Sequence, residues 1–374
     1  MSATDGVRLV DQHCHGVFAR DLPAADFAAG LTEAPDPGGR DPWRSMLGLA
    51  VRRWCAPVLD LPAHATPEEY LARRTELGWR EAATRLLRAA GVADWFVDTG
   101  YGGDTTPGEL AELGGGTGHE VVRIEQVAES VASSGADTPV ALLDGIRAGL
   151  RERAGSAVAF KSVIAYRSGL ALPADPPSHV AVRAAADDWL RSGITRLRNH
   201  VLHAWLVHEA ARVAAELGLP LQFHTGFGDP DLHLRDADPL LLTDFVRTTP
   251  ADVVLLHCWP FHRNAAYLAH AFGHVWVDLG LTLGFAGQRA GAVLAETLEL
   301  APFESLLYSS DGCDLPERHH VGAVLWRHHL GRLLDEWLAD GAITRGDAER
   351  LAEDFGAGNA RRLSSRLAAG PDPR

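Results

Sequence analysis

Lysine is nearly absent from this chain. Of its 35 basic residues Lys161 alone is a lysine and the others are arginines, so every other cation is a guanidinium. Basic stripes are missing too: the net charge is −14 and the pI about 5.7. That balance excludes the phosphate-neutralising face that a nucleic-acid partner requires. The N-terminus, MSATDGVRLVDQHCHG, lacks the apolar run of about 7 to 15 residues that marks a secretory signal. No stretch reaches the roughly 18 uninterrupted apolar residues that span a bilayer. A soluble, cytoplasmic protein with neither membrane nor nucleic-acid partner is expected. Cysteine is sparse, and Cys14, Cys55, Cys258 and Cys313 form no CxxC pair, which fits reduced thiols, read most simply as small buried hydrophobes. No G-x-G-x-x-G follows an early strand, the glycine run ELGGGTGHE lacks the GK[ST] ending of a phosphate loop, and there is no internal repeat.

What is present is a 46% hydrophobic share, enough for a large core, and a regular alternation. Short apolar runs at 7–13, 94–100, 120–126, 157–163, 219–225, 252–258, 274–280 and 305–311 read as strands. Helical patterns separate most of them, at 68–90, 138–154, 180–217, 238–248, 263–272, 286–300 and 321–366. Runs that are mostly apolar, not alternating, suit parallel strands covered on both faces. The fold expected is α/β, a TIM-like (β/α)8 barrel, with a doubly wound open sheet as the competitor. One domain should fill 1–374, with an insertion at about 18–80 and a C-terminal helical extension at about 318–370 accounting for the excess over about 250 residues.

In such a barrel the chemistry stands at the carboxyl ends of the strands. The first ends in DQHCH, and alternation puts Asp11, His13 and His15 on one face, with Gln12 and Cys14 on the other. Alone, this HxH is a weak signal. Strand five ends in His224, strand six in His257 and strand eight in Asp311. Four imidazoles and a carboxylate at the ends of four strands suit Zn²⁺, Mn²⁺ or Fe²⁺ with coordination positions left open, which is the arrangement of a catalytic site.

The segments VDQHCHG, FKSVIAYRSGL, LPLQFHTGFGDPDLHL, VVLLHCWPFHR and LLYSSDG resemble the amidohydrolase superfamily, most closely its amidohydrolase 2 branch and the amidohydrolase-like domain of FluG-type proteins. The glutamine-synthetase-like domain commonly joined to that domain is not among these 374 residues. The resemblance implies that His13, His15 and His224 bind a metal as neutral imidazoles and that Asp311 ligates it, takes a proton from its water, or both. His257 is then a second-metal ligand or a general acid and oxyanion stabiliser. Asp11, one layer deeper, could orient a ligating histidine.

Lys161 decides between one ion and two. An amine reacts with CO₂ to give a carbamate able to bridge two metals, as a strand-four lysine does in one arm of the superfamily; a guanidinium cannot. An uncarbamylated contact in the site and a structural cation are the other readings. Arg167, Tyr166 and Arg123 are candidates to hold a substrate carboxylate. Asp229 and Trp259 follow His224 and His257 in loops of the kind that set specificity, though Asp229 also suits a turn. Trp43, Trp54 and His64 are candidates to close over the mouth, and His319, His320, His328 and His329 read as a solvated helix face. A metal-dependent hydrolase of an amide or other C–N bond in a small, carboxylate-bearing substrate is expected, γ-glutamyl amides being the resemblance's suggestion. A decarboxylase-like lyase or an isomerase on the same site, and a barrel that binds without chemistry, are the alternatives. A homo-oligomer is left open.

Overall fold

Buried β-branched and aromatic runs form the strands, and glycines in left-handed backbone stop several of the helices between them. The protein, seen as a computed structural model, is described over residues 2–364. Among these residues the strands are β1 (Leu9–Cys14), β2 (Val92–Asp98), β3 (Thr117–Arg123), β4 (Ala157–Ser162), β5 (Leu221–His224), β6 (Val253–Leu256) and β7 (Val275–Val277). They follow one another in chain order in one sheet, with parallel pairing. β1, β4, β5 and β6 are buried at every residue, as strands covered on both faces must be. The architecture is the α/β, TIM-like one. No helix among the described residues is long and apolar enough to cross a membrane.

The eighth strand differs from expectation. Residues 307–313 have no regular ladder, yet they run beside β1: the Gln12 amide donates to the Tyr308 carbonyl at 3.2 Å, the Asp311 amide to the His13 carbonyl at 3.1 Å and the His15 amide to the Gly312 carbonyl at 2.7 Å. Asp311 sits at a φ of 48°, which breaks the extended repeat. Helix limits also shift. Gly78 (φ 75°) and Gly193 (φ 65°) divide helices read as continuous, giving Pro67–Leu77, Trp79–Ala90, His179–Ser192 and His200–Leu217. Gly218 ends the last of these in left-handed backbone, as its place before β5 predicts.

Two compact units make up the chain: Met1–His119 with Asp278–Arg361, and Glu120–Val277 with the residues from Arg362. The last residues of the expected C-terminal extension lie outside the described ones. In the first unit the insertion is mostly helical and shares a core with Leu86, Leu315, Val321 and Leu325, in which Trp43 stacks on Phe27 at 5.2 Å. Trp43 is therefore a core residue and not part of a mouth, and Trp54 packs on His328 with ring centroids 5.6 Å apart. A buried charge pair ties this insertion to the helix Pro316–Ala339: Arg74 Nε donates to Glu317 Oε1 at 2.8 Å, and the Tyr70 hydroxyl donates to the same oxygen at 2.9 Å.

The tail histidines do not form a solvated face. His319, His320 and His329 are buried on that helix, because its apolar stripe runs wider than the sequence pattern suggests. In the second unit Glu125, within the run at 120–126 that reads as a strand, lies in the first turn of the helix Ile124–Ser133 and is fully buried. Glu125 Oε1 accepts from Ser162 Oγ at 2.6 Å, from the Val163 amide at 3.0 Å and from His203 Nε2 at 3.1 Å.

Two predictions follow from this packing. Arg74→Ala leaves the Glu317 carboxylate buried without its cation, and urea unfolding should show a loss of about 3–5 kcal/mol. Burial lowers His320 and His329 to about 4 each, so the unfolded chain binds their protons first. The stability these histidines contribute is present above about 6.5 and falls as pH drops towards 4. Melting temperatures should decline over that window more steeply for the parent protein than for His320→Gln.

Candidate active site

β1 delivers His13, and the chain just beyond it delivers His15, to the same side as the 308–314 segment. His13 Nε2 lies 3.3 Å and His15 Nε2 3.4 Å from Asp311 Oδ1. The two rings are 5.2 Å apart and nearly perpendicular. All three side chains are buried, and their potential ligand atoms lie within 4.8 Å of one another. Alternation along β1 thus places the pair as expected. Gln12, on the opposite face, donates to the buried Asp278 carboxylate, and Cys14 donates to the Phe96 carbonyl at 3.4 Å.

The tautomer of His15 follows from its surroundings. Its Nδ1 lies 3.2 Å from the Asp98 carbonyl and 3.1 Å from the Tyr101 carbonyl. Carbonyl oxygens only accept, so the proton belongs on Nδ1 and the Nε2 lone pair is free. That lone pair faces an oxygen of Asp311. Two acceptors held together in a buried place repel unless a proton or a metal cation lies between them. Nearby, burial and then the carboxylates of Asp278 and Asp311 push the Asp11 carboxyl up to about 7 against the hydrogen bonds from Ser310. Two imidazole nitrogens and a carboxylate oxygen fit a divalent ion of the zinc, manganese or iron type.

The second unit holds its own group of expected residues. His224 ends β5 and His257 directly follows β6; their rings are 4.7 Å apart. Tyr166, after β4, packs on His224 at 4.6 Å. His224 Nε2 lies 3.2 Å from the Phe227 carbonyl. His257 and Cys258 both adopt positive φ, 69° and 65°, a strained backbone of the sort concentrated at functional sites. Lys161 is 2% exposed within β4 and registers opposite Arg123 and Gln222.

Arg167 lies 3.5 Å from Glu129 through Nη2, while its buried Nε and Nη1 have no acceptor among the described residues. Asp229 Oδ1 accepts from the Asp231 amide at 2.8 Å, the turn role open to it from the sequence. Trp259 is 41% exposed and packs edge-on to Phe227. Sequence reasoning missed Gly228, whose missing side chain leaves room for Tyr166 Oη and for His224 Nε2, 3.2 Å from where a Cβ would stand. It also missed Ser310, whose one sequence signal is its place before Asp311.

A family model described as Amidohydrolase, Amidohydro_2, matches residues 140–363. The chain belongs to this family. The matched range contains Lys161, His224, His257 and Asp311 and begins after His13 and His15. Over 219 residues the chain is 33% identical to Protein fluG of Emericella nidulans, an alignment covering 55% of this chain and 25% of that protein. The chain thus spans about a quarter of the length of that curated relative. A solved structure from Lactobacillus casei ATCC 334, described as a candidate metal-dependent hydrolase, superposes with a TM-score of 0.85 at 26% identity over 99% of this chain and 98% of that one. The uronate isomerase of Thermotoga maritima shares the fold, with a TM-score of 0.64 at 15% identity over 96% and 95% of the two chains.

Replacing Gly228 with alanine drives a methyl group into Tyr166 Oη. Thermal or urea unfolding of Gly228→Ala should show a loss of about 1–3 kcal/mol, the usual cost of overpacking.

Proposed function

We propose that this amidohydrolase-family chain is a metal-dependent hydrolase that cleaves an amide or other C–N bond of a small, carboxylate-bearing molecule. The observation that carries the reading is the pair of imidazole nitrogens aimed at one Asp311 oxygen, with His15 held in the tautomer that leaves Nε2 free. His13, His15 and Asp311 would hold the ion, zinc being the first choice. The family resemblance suggests His224 as a third imidazole, and one or two ions remain the alternatives.

When bound, a divalent ion polarises a carbonyl and brings a water's pKa to about 7. The protein's own groups do the rest. Asp311 holds the proton given up by the attacking water, and His257 supplies a proton to the departing nitrogen, which cannot leave as an anion. Arg167, Arg123 and Tyr166 receive the substrate carboxylate, and the Trp259 indole shields the entrance. Lys161 serves either as the carbamate-bearing ligand of a second ion or as an amine contact to the substrate.

Elemental analysis of the purified chain, with and without bicarbonate, separates these states. Two ions per chain that depend on CO₂ support the carbamate, and a single ion removes it. His13→Ala should abolish both metal content and turnover of γ-glutamyl and N-acyl amino acids. Full activity in that variant would sink the reading, while product formed without uptake of ¹⁸O from solvent water would make the reaction a lyase or isomerase step.

A further inference from the structure

We infer that Asp11 is the positioning residue of Asp311, acting through Ser310 to hold that carboxylate on the ion side of the imidazoles. The inference rests on the metal reading above and adds a residue to it. Asp11 is fully buried. Its Oδ1 accepts from the Ser310 amide at 2.8 Å and its Oδ2 from the Ser310 hydroxyl at 2.5 Å. The same hydroxyl oxygen accepts from the Gly312 amide at 2.9 Å. One carboxylate therefore fixes the residues on both sides of Asp311, whose own amide donates to the His13 carbonyl at 3.1 Å.

Asp311 needs such a frame. Its φ of 48° lies in left-handed backbone, which costs a non-glycine residue about 1–3 kcal/mol and persists only where the surroundings over-determine it. Released from Ser310 and Gly312, the residue would relax towards extended backbone and carry its carboxylate away from His13 and His15.

A different role for Asp11 is as a ligand itself, since Asp11, Cys14 and His319 also bring potential donor atoms within 4.8 Å of one another. Both Asp11 oxygens, however, are engaged by Ser310, and the Cys14 thiol is spent on the Phe96 carbonyl. Sequence alternation suggested that Asp11 orients a histidine; the hydrogen bonds point to the aspartate instead.

Asp11→Asn is the direct test, because an amide can still accept from the Ser310 N–H but turns a donor towards the Ser310 hydroxyl. Metal-free full-length protein is titrated with Co²⁺ and its visible spectrum recorded, with circular dichroism and melting temperature as checks on folding. Asp11→Asn should weaken Co²⁺ binding about 10- to 100-fold, the usual effect of removing a group that orients a ligand, and should alter the Co²⁺ bands. Ser310→Ala should move both in the same direction by less, and it carries the test if Asp11→Asn does not fold. Wild-type affinity and spectrum in the folded variants, even with a lowered melting temperature, would make Asp11 a purely structural residue and overturn the inference. A parent protein that takes up no Co²⁺ would instead overturn the metal reading, and this role with it.

Discussion

The hydrogen bonds between β1 and the irregular chain at 308–314 determine where His13, His15 and Asp311 stand. They set two imidazoles and a carboxylate within reach of one another, in a place water does not readily enter, with the His15 lone pair facing a carboxylate oxygen. Such an arrangement is unfavourable by itself, and the fold sustains it because the backbone on either side is hydrogen-bonded elsewhere. The cost is local; the scaffold that meets it is the barrel, whose continuous apolar strands leave their carboxyl ends rigid.

Much of that scaffold was legible in the sequence, for physical reasons. Strands buried on both faces are mostly apolar, so β1 and β4 to β6 announce themselves, and the polar residues at their ends stand out as candidates. Period-two alternation was enough to set His13 and His15 together. What stayed hidden depends on contacts distant in the chain. The 307–313 segment is apolar enough to read as a strand, yet the turn at Asp311 interrupts its ladder. Glu125 looked like a strand residue because its role, accepting from Ser162, Val163 and His203, is written in three separate parts of the chain. The buried tail histidines were misjudged because the surface that covers them comes partly from the insertion.

Each unit uses the same local device. In the first, a buried aspartate engages the serine before Asp311; in the second, a buried glutamate engages the serine after Lys161. In both, a carboxylate gathers a serine hydroxyl and a neighbouring backbone N–H, stiffening the chain beside a chemistry-bearing residue. Carboxylates suit this work because they accept several hydrogen bonds at once.

The near absence of lysine has a further consequence for the protein's exposure to its chemical surroundings. Cyanate, reducing sugars and acyl donors attack side-chain amines, and here the sole such amine is buried within a strand at 2% exposure. An arginine-only surface offers those reagents no lysine to modify. Lysine adducts of the kind that erode charge over time in a lysine-rich protein have no exposed amine side chain to form on, and the single lysine amine lies buried within β4.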